Sequence, residues 1–233
     1  MSTNQKEKAL VLLSGGLDSA VCLALAVDKY GNDNVIALNS FYGQKHDKEI
    51  ECARRLSSDY EVKYIEIDLS NVMAYSNCSL LKTSAEDVPS GEYAEQKRGA
   101  GKPVSTYVPF RNGLFASVAT SIAISNEASF VYLGIHRDDV AGDAYPDCSK
   151  EFYKAMNKAI VYGSGNTVQL VAPFVDCTKA DIVKKGVELK VPFEKTWSCY
   201  KGGDKPCGKC GTCLDRQKAF EANGVTDPLL KEY

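Results

Sequence analysis

The sequence predicts an α/β protein built on a doubly wound, mostly parallel sheet, followed by a small cysteine-rich C-terminal module. Three observations carry this reading. Short apolar runs alternate with longer helical stretches along most of the chain. The loops after several of the strands are polar, as expected for one functional rim of a parallel sheet. Four cysteines then crowd into one short segment near the C-terminus. The length of 233 residues suits one α/β domain plus an appendage better than two full domains. We therefore expect a main domain over 1–195 and a module over 196–233, packed on it.

The elements follow in order. The apolar run Ala9-Leu10-Val11-Leu12-Leu13 predicts a strand over 10–13, and the apolar stretch after the next glycines predicts a helix over 18–29. A second strand is expected over 35–41. Apolar positions at Ile50, Ala53 and Leu56 predict a helix over 45–58. Residues 62–67 alternate like a half-exposed strand. Residues 70–107 are polar, contain Gly, Ser and Pro, and read as a long functional connection or lid. An Ala-rich helix over 110–125 and a strand over 130–135 come next. A helix over 150–161, a strand over 168–172 and a helix over 178–189 complete the pattern.

Composition narrows the function. The hydrophobic fraction of 44% and charged fraction of 25% are ordinary for a globular protein. The net charge of −2 gives no global basic footprint and disfavours a nucleic-acid partner, though a local basic patch stays compatible with it. No apolar run approaches the ~20 residues of a membrane helix, and the N-terminus has no secretory signal. Nine cysteines, five of them scattered, fit a reduced, cytoplasmic compartment better than a disulfide scaffold.

The segment Ser14-Gly15-Gly16-Leu17-Asp18-Ser19 is the strongest local signal. A glycine-rich turn between a buried strand and a helix places free N–H groups at a helix N-terminus, where they bind phosphate. The Lys followed by Ser or Thr of a Walker A loop is missing. The segment instead resembles the PP-loop of the N-type ATP pyrophosphatases, whose fold is adenine nucleotide alpha hydrolase-like. That resemblance implies cleavage of ATP to AMP and pyrophosphate, with ATP bound along Leu13-Ser14-Gly15-Gly16-Leu17-Asp18-Ser19-Ala20-Val21-Cys22-Leu23.

Cys199, Cys207, Cys210 and Cys213 form the cluster, the last three spaced C-x-x-C-x-x-C. Four thiolates suit one structural Zn²⁺ without an open coordination position. Gly208 and Gly211 would let the chain aim N–H groups at the sulfurs. An iron–sulfur cluster and a redox thiol set are the rival readings. Of the others, Cys22 and Cys52 read as packing residues, and so does Cys148, for which no activating base is identifiable.

Further motifs narrow the resemblance. Tyr42-Gly43-Gln44-Lys45-His46, Val108-Pro109-Phe110-Arg111-Asn112 and Asp139-Val140-Ala141-Gly142-Asp143-Ala144-Tyr145-Pro146-Asp147-Cys148 are similar to signatures of the 7-cyano-7-deazaguanine synthases, the QueC family. The four cysteines, followed by Arg216 and Phe220, resemble that family's zinc tail. The likeness covers residues 10–220. It implies that ATP with Mg²⁺ adenylates 7-carboxy-7-deazaguanine, that ammonia yields the amide, and that a second ATP converts the amide to the nitrile. It also implies a homodimer.

Residue roles follow from this resemblance. Ser14, Gly15, Gly16 and Ser19 would hold the pyrophosphate end of ATP, and Asp18 the Mg²⁺. Arg111 would clamp a phosphate or carboxylate with its planar guanidinium. Lys179 would neutralise leaving phosphates, against the plainer reading of an exposed lysine. A guanine-like edge offers two donors that one carboxylate accepts. Asp139, Asp143 and Asp147 are the candidates and Asp147 the favoured one, their plainer reading being caps of turns or of the helix starting near Ser149. Tyr145 or Phe41 would stack on the ring. Tyr42, Gln44, His46 and Asn112 complete the expected substrate set.

Three positions depart from the family pattern: Phe110 stands where glycine is usual, Leu17 where glutamine is frequent, and His136-Arg137-Asp138-Asp139 replaces a commoner stretch. They motivate an alternative, a paralogue that stops at the amide or passes activated deazaguanine to another acceptor such as a protein amine. Two more distant readings are tRNA thiolation, which the charge disfavours, and a non-enzymatic zinc adaptor, which leaves the phosphate loop unexplained.

Overall fold

The structure, a computed structural model, describes residues 7–92, 96 and 103–231. Five parallel strands form one sheet in the order β3-β2-β1-β4-β5. The strands are β1 (Ala9–Leu12), β2 (Val35–Phe41), β3 (Lys63–Asp68), β4 (Phe130–Tyr132) and β5 (Gln169–Val171). The helices are α1 (Leu17–Tyr30), α2 (Lys48–Asp59), α3 (Ser70–Met73), α4 (Arg111–Ser125), α5 (Lys150–Gly163), α6 (Lys179–Glu188), α7 (Gly211–Ala222) and α8 (Pro228–Lys231).

The central strand β1 is buried along its whole length and sorts its side chains with period two. Ala9, Val11 and Leu13 face a core shared with α1, α2 and α6, where Leu17, Ala53, Leu56, Ile182 and Val183 pack. Leu10 and Leu12 face the opposite core, where Ala116, Ala119 and Ala123 of α4 and Ile160 of α5 pack. Helices therefore cover both faces, as the alternating pattern requires. Ala219 and Phe220 of α7 lie in the first core, so the C-terminal segment shares the main hydrophobic interior. The edge strand β3 carries Lys63, Glu66 and Asp68 on exposed or half-exposed positions, which discourages pairing with another strand.

The long 70–107 connection has its own packing in the part described. Cys78, Leu80, Leu81 and Val108 form a small cluster with Tyr42 and Met73. Residues 93–95 and 97–102 lie outside the described residues.

Most of the expected bounds shift by one to three residues, and some of the shifts bear on the site. The helix expected from residue 45 starts at Lys48, because residues 43–46 pair with the connection instead: Lys45 N–H donates to Leu80 O at 2.9 Å and Gln44 bridges Leu81. β4 ends at Tyr132 and β5 at Val171, both short of expectation. After β4 the chain brings Gly134 against the backbone of Asp18 and Ser19. α4 starts at Arg111, since Phe110 adopts a left-handed φ of 56°.

Candidate active site and metal centre

The C-terminal ends of β1, β2 and β4 open into one cleft whose empty space, mouth included, is about 1190 Å³. This is room for a nucleotide with a second heterocycle. The phosphate loop forms its floor. Gly16 is the N-cap of α1, and its N–H donates to Ser14 Oγ at 3.2 Å. Ser14 Oγ lies 3.0 Å from Ser19 Oγ, which itself donates to Gly16 O at 3.0 Å. The hydroxyls thus hold the loop in shape while the first turn of α1 points its free N–H groups at the cleft. Gly15 has φ 91°, and a Cβ built there would lie 2.0 Å from Glu49 O, so the loop rests directly on the backbone of α2. Trp197 N–H donates to Gly15 O at 3.0 Å and ties the loop to the C-terminal segment.

A charged cluster stands beside the loop. Lys179, the first residue of α6, donates to Asp18 Oδ2 at 2.5 Å. His136 Nε2 lies 3.4 Å from Lys179 Nζ, 3.2 Å from Asp139 Oδ1 and 3.9 Å from Asp18 Oδ2. The capping box Thr178/Asp181 fixes the start of α6, and Lys179 N–H donates to Asp138 Oδ2 at 2.7 Å. Burial pushes the Asp18 carboxyl up, but Lys179 and His136 more than reverse this and leave it below the usual range. Asp18 Oδ1 is buried and has no hydrogen-bond partner among the described residues, which leaves it free to ligate a cation. Asp215 of α7 reaches the same cleft, and burial raises its carboxyl against the opposing charge of Lys179.

The other side of the cleft carries Tyr42, Gln44, Glu49, Arg111, Asn112 and Phe115. Gln44 Oε1 accepts from Tyr42 N–H at 2.9 Å and shapes the turn after β2. The Arg111 guanidinium lies 5.4 Å from the Tyr42 ring centroid and donates to Tyr42 Oη at 3.4 Å. Trp197, Ser198, Tyr200 and Thr212 close the wall from the C-terminal segment.

Several expected site residues are placed elsewhere. Ala20, Val21, Cys22 and Leu23 are fully buried core residues of α1, so their side chains cannot reach a nucleotide. Phe41 lines a separate groove beside Gly43 and Ser70. His46 packs on Gly202 of the cysteine loop. Tyr145 is turned to Thr106, its hydroxyl 2.6 Å from Thr106 Oγ1. Asp147 is committed to the start of α4: its Oδ2 accepts from Asn112 N–H at 2.9 Å, so it caps α4 and not the helix after Ser149, which Ser149 itself caps. The Asp143 side chain lies outside the described residues. Cys148 reaches the cleft but burial holds its thiol well above the ordinary value, so packing is its role. Phe110 sits outside the cleft, with its ring over Gly113 and edge-on to Phe152 at 5.8 Å.

Sequence reasoning missed Glu49, Trp197, Thr212 and Asp215. Glu49 had a usable signal, since the first turn of a helix after a strand's C-terminal end lies on the functional rim. Asp215 follows two residues after the last cysteine, and nothing in its local sequence aims it at Lys179.

The four cysteines converge, their sulfurs all within 4.8 Å of one another. Cys210 Sγ is 3.5 Å and Cys207 Sγ 4.0 Å from Cys213 Sγ. One tetrahedral metal with bonds of about 2.3 Å sets its sulfurs about 3.8 Å apart. The N–H groups of Cys207, Lys209 and Cys210 point at cluster sulfurs from 3.3 Å, 3.5 Å and 3.4 Å, the donors that metal thiolates require. The residues fit a metal ion. Arg216 anchors the module: it is 3% exposed and bonds Asp227 through two nitrogens at 2.6 and 2.8 Å.

Known proteins share this architecture. The NH3-dependent NAD synthetase of Campylobacter jejuni superposes with a TM-score of 0.51 at 18% identity, over 99% of this chain and 80% of its own. The U34-tRNA thiolase NcsA of Methanococcus maripaludis, solved with its [4Fe-4S] cluster, gives 0.51 at 18% over 97% and 67%. At this identity they establish the fold alone. In sequence, the 7-cyano-7-deazaguanine synthase of Archaeoglobus fulgidus is 45% identical over 226 residues, 97% of this chain and 90% of that protein. The one from Caldicellulosiruptor saccharolyticus is 42% identical over 227 residues, 97% and 96% of the two chains. The sequence model of the family described as "Queuosine biosynthesis protein QueC" matches residues 8–224, and the chain belongs to that family.

Proposed function

We propose that the protein is a 7-cyano-7-deazaguanine synthase, converting 7-carboxy-7-deazaguanine and ammonia to the nitrile at the expense of two ATP. The carrying observation is that the phosphate loop, the Asp18–Lys179 pair backed by His136, and the Arg111–Tyr42 wall open into one cleft. Each ATP would lie with its β- and γ-phosphates on the N-terminus of α1. A carboxylate oxygen of the substrate attacks the α-phosphorus and pyrophosphate leaves. Ammonia then displaces AMP to give the amide. The amide oxygen attacks the α-phosphorus of a second ATP and pyrophosphate leaves again; loss of AMP and of both amide protons then leaves the C≡N bond. Lys179 balances charge on the departing pyrophosphate, as preorganised cations do in a low-dielectric site. Asp18 and Asp215 are the residues that would hold the Mg²⁺ of Mg-ATP, which supplies further neutralisation of phosphate charge.

The names of the relatives favour the nitrile over an amide end point or a protein conjugate. The position of Phe110 outside the cleft agrees, because it removes one of the departures that motivated the alternative. The four-cysteine set would hold zinc. A cubane cluster binds each cysteine to a different iron and spreads the sulfurs farther than the 3.5 and 4.0 Å that separate two of the pairs.

The test is a mass-resolved assay of purified protein with Mg-ATP, ammonium and 7-carboxy-7-deazaguanine. Nitrile with two AMP per product is the expected result. An amide end point, or deazaguanine mass added to protein, would replace this reading with the paralogue one.

A further inference from the structure

The carboxylates reaching the cleft fall into two groups. Asp18, Asp139 and Asp215 gather around Lys179 and His136, beside the phosphate loop. Glu49, in the first turn of α2, stands apart from them on the side of Arg111 and Tyr42. Among the described residues no hydrogen bond or ion pair engages the Glu49 carboxylate; it feels the Arg111 charge without touching it. Burial pushes this carboxyl up to about 7, as expected for an acid held in a cleft without donors. Asp147 meanwhile is consumed by Asn112 N–H.

The proposed substrate has a matching edge. In order around the ring it presents the 7-carboxylate, the O6 carbonyl, the N1–H and the 2-amino group: two acceptors, then two donors. A guanidinium beside a carboxylate is the complementary sequence, since the planar fork spans two acceptors and the carboxylate accepts two N–H groups. Adenine has no such edge; its exocyclic amine neighbours a ring acceptor, so the pair selects against the base of ATP. Tyr42 and Phe115, 5.9 Å apart, and Trp197 supply aromatic surface around the same space.

We propose that Glu49 is the specificity-determining residue for the guanine-type ring, accepting hydrogen bonds from N1–H and the 2-amino group while Arg111 spans O6 and the 7-carboxylate. This rests on the function proposed above and assigns the ring reading to a residue other than the aspartates expected from sequence.

The experiment compares binding of 7-carboxy-7-deazaguanine with binding of its 2-deamino analogue, using quenching of Trp197, the single tryptophan, which lines the cleft. Wild type, Glu49→Gln and Glu49→Ala are measured, with Mg-ATP affinity as the control for an intact fold. Wild type should prefer the 2-amino compound by on the order of 10- to 100-fold, the worth of a hydrogen bond to a charged group. In both variants this ratio should collapse towards one while Mg-ATP binding persists. An unchanged ratio overturns the proposal. So does a variant that keeps the ratio but loses turnover with an altered pH profile, which would make Glu49 a proton acceptor. A wild type without preference for the 2-amino group overturns it without any variant. Wild type that binds neither deazaguanine would instead overturn the proposed function itself.

Discussion

Arg216 offers the sharpest test of how the C-terminal module supports the cleft. Its guanidinium makes five hydrogen bonds: two to Asp227, and one each to Thr196 Oγ1, Ser198 Oγ and Phe193 O. All of the side chains involved are buried or nearly so, with Arg216 at 3% and Asp227 at 5% exposure. Arg216→Met keeps the volume and deletes the charge. Among the described residues Asp227 then retains only the Leu229 N–H at 3.1 Å. Breaking one partner out of a buried pair costs about 3–5 kcal/mol. For a chain of 233 residues this is a fall in Tm of about 6–20 °C, at about 2–4 °C per kcal/mol. The 193–198 segment also carries Trp197 and Ser198 into the cleft, so substrate affinity should fall at temperatures where the variant is still folded. Urea unfolding followed by tryptophan fluorescence gives the free energy. The double variant Arg216→Met/Asp227→Leu should recover at least about 2 kcal/mol, because an apolar pair replaces a buried ionic one at little net cost. A single variant that loses less than about 1 kcal/mol, or a double variant as unstable as the sum of the singles, refutes the argument.

Three further outcomes are expected. Lys179→Met removes the cation on Asp18 and should lower substrate-dependent AMP formation by about 10²–10³-fold, with the circular dichroism spectrum unchanged; a loss under about five-fold would remove Lys179 from the reaction. Stripping the metal, or Cys207→Ser, should shift Trp197 emission to the red and weaken substrate binding, since Trp197 is buried with Cys199 and Cys210 in one cluster; metal-free protein with unaltered emission and affinity would contradict this. Glu49→Gln should stabilise the ligand-free protein at high pH. A carboxyl raised from 4.5 to about 7 leaves stability untouched below its unfolded value and costs it progressively as pH rises through the folded one. The variant's advantage should therefore be absent near pH 4.5 and reach about 1–3 kcal/mol above pH 7, after discount for the cleft-facing side; equal Tm values at pH 5 and pH 8 would count against it.

The sequence was most readable where one short segment carries both structure and chemistry. An apolar run, two glycines and a helix-forming stretch leave little choice for residues 9–30, and C-x-x-C-x-x-C leaves little choice for the metal site. It was least readable where a side chain's role depends on a distant partner. Asp147 reads equally well as a base-reading acid and as a cap, and only the position of Asn112 N–H separates the two. Tyr145 belongs to a promising loop, yet Thr106 turns its hydroxyl away. Glu49 looks like any helix-surface glutamate until the rim of β2 places it beside Arg111. Ala20 to Leu23 follow the phosphate loop directly, but the helical period carries them into the core.

The contact between Gly15 and the carbonyl of Glu49 has a bearing on how such a protein can diverge. No side chain fits between the loop and α2, so the path of the helix backbone and the shape of the phosphate cradle are inherited together. The outward side chain at position 49 is under no such restraint. On the assignment of Glu49 proposed above, a lineage would exchange the heterocycle it accepts by rewriting that side chain and its neighbours, while rerouting the backbone beneath them would disturb the phosphate cradle. Novelty in this scaffold is therefore confined to side chains on one bank of the cleft, and the other bank is held fixed by the absence of a single carbon atom.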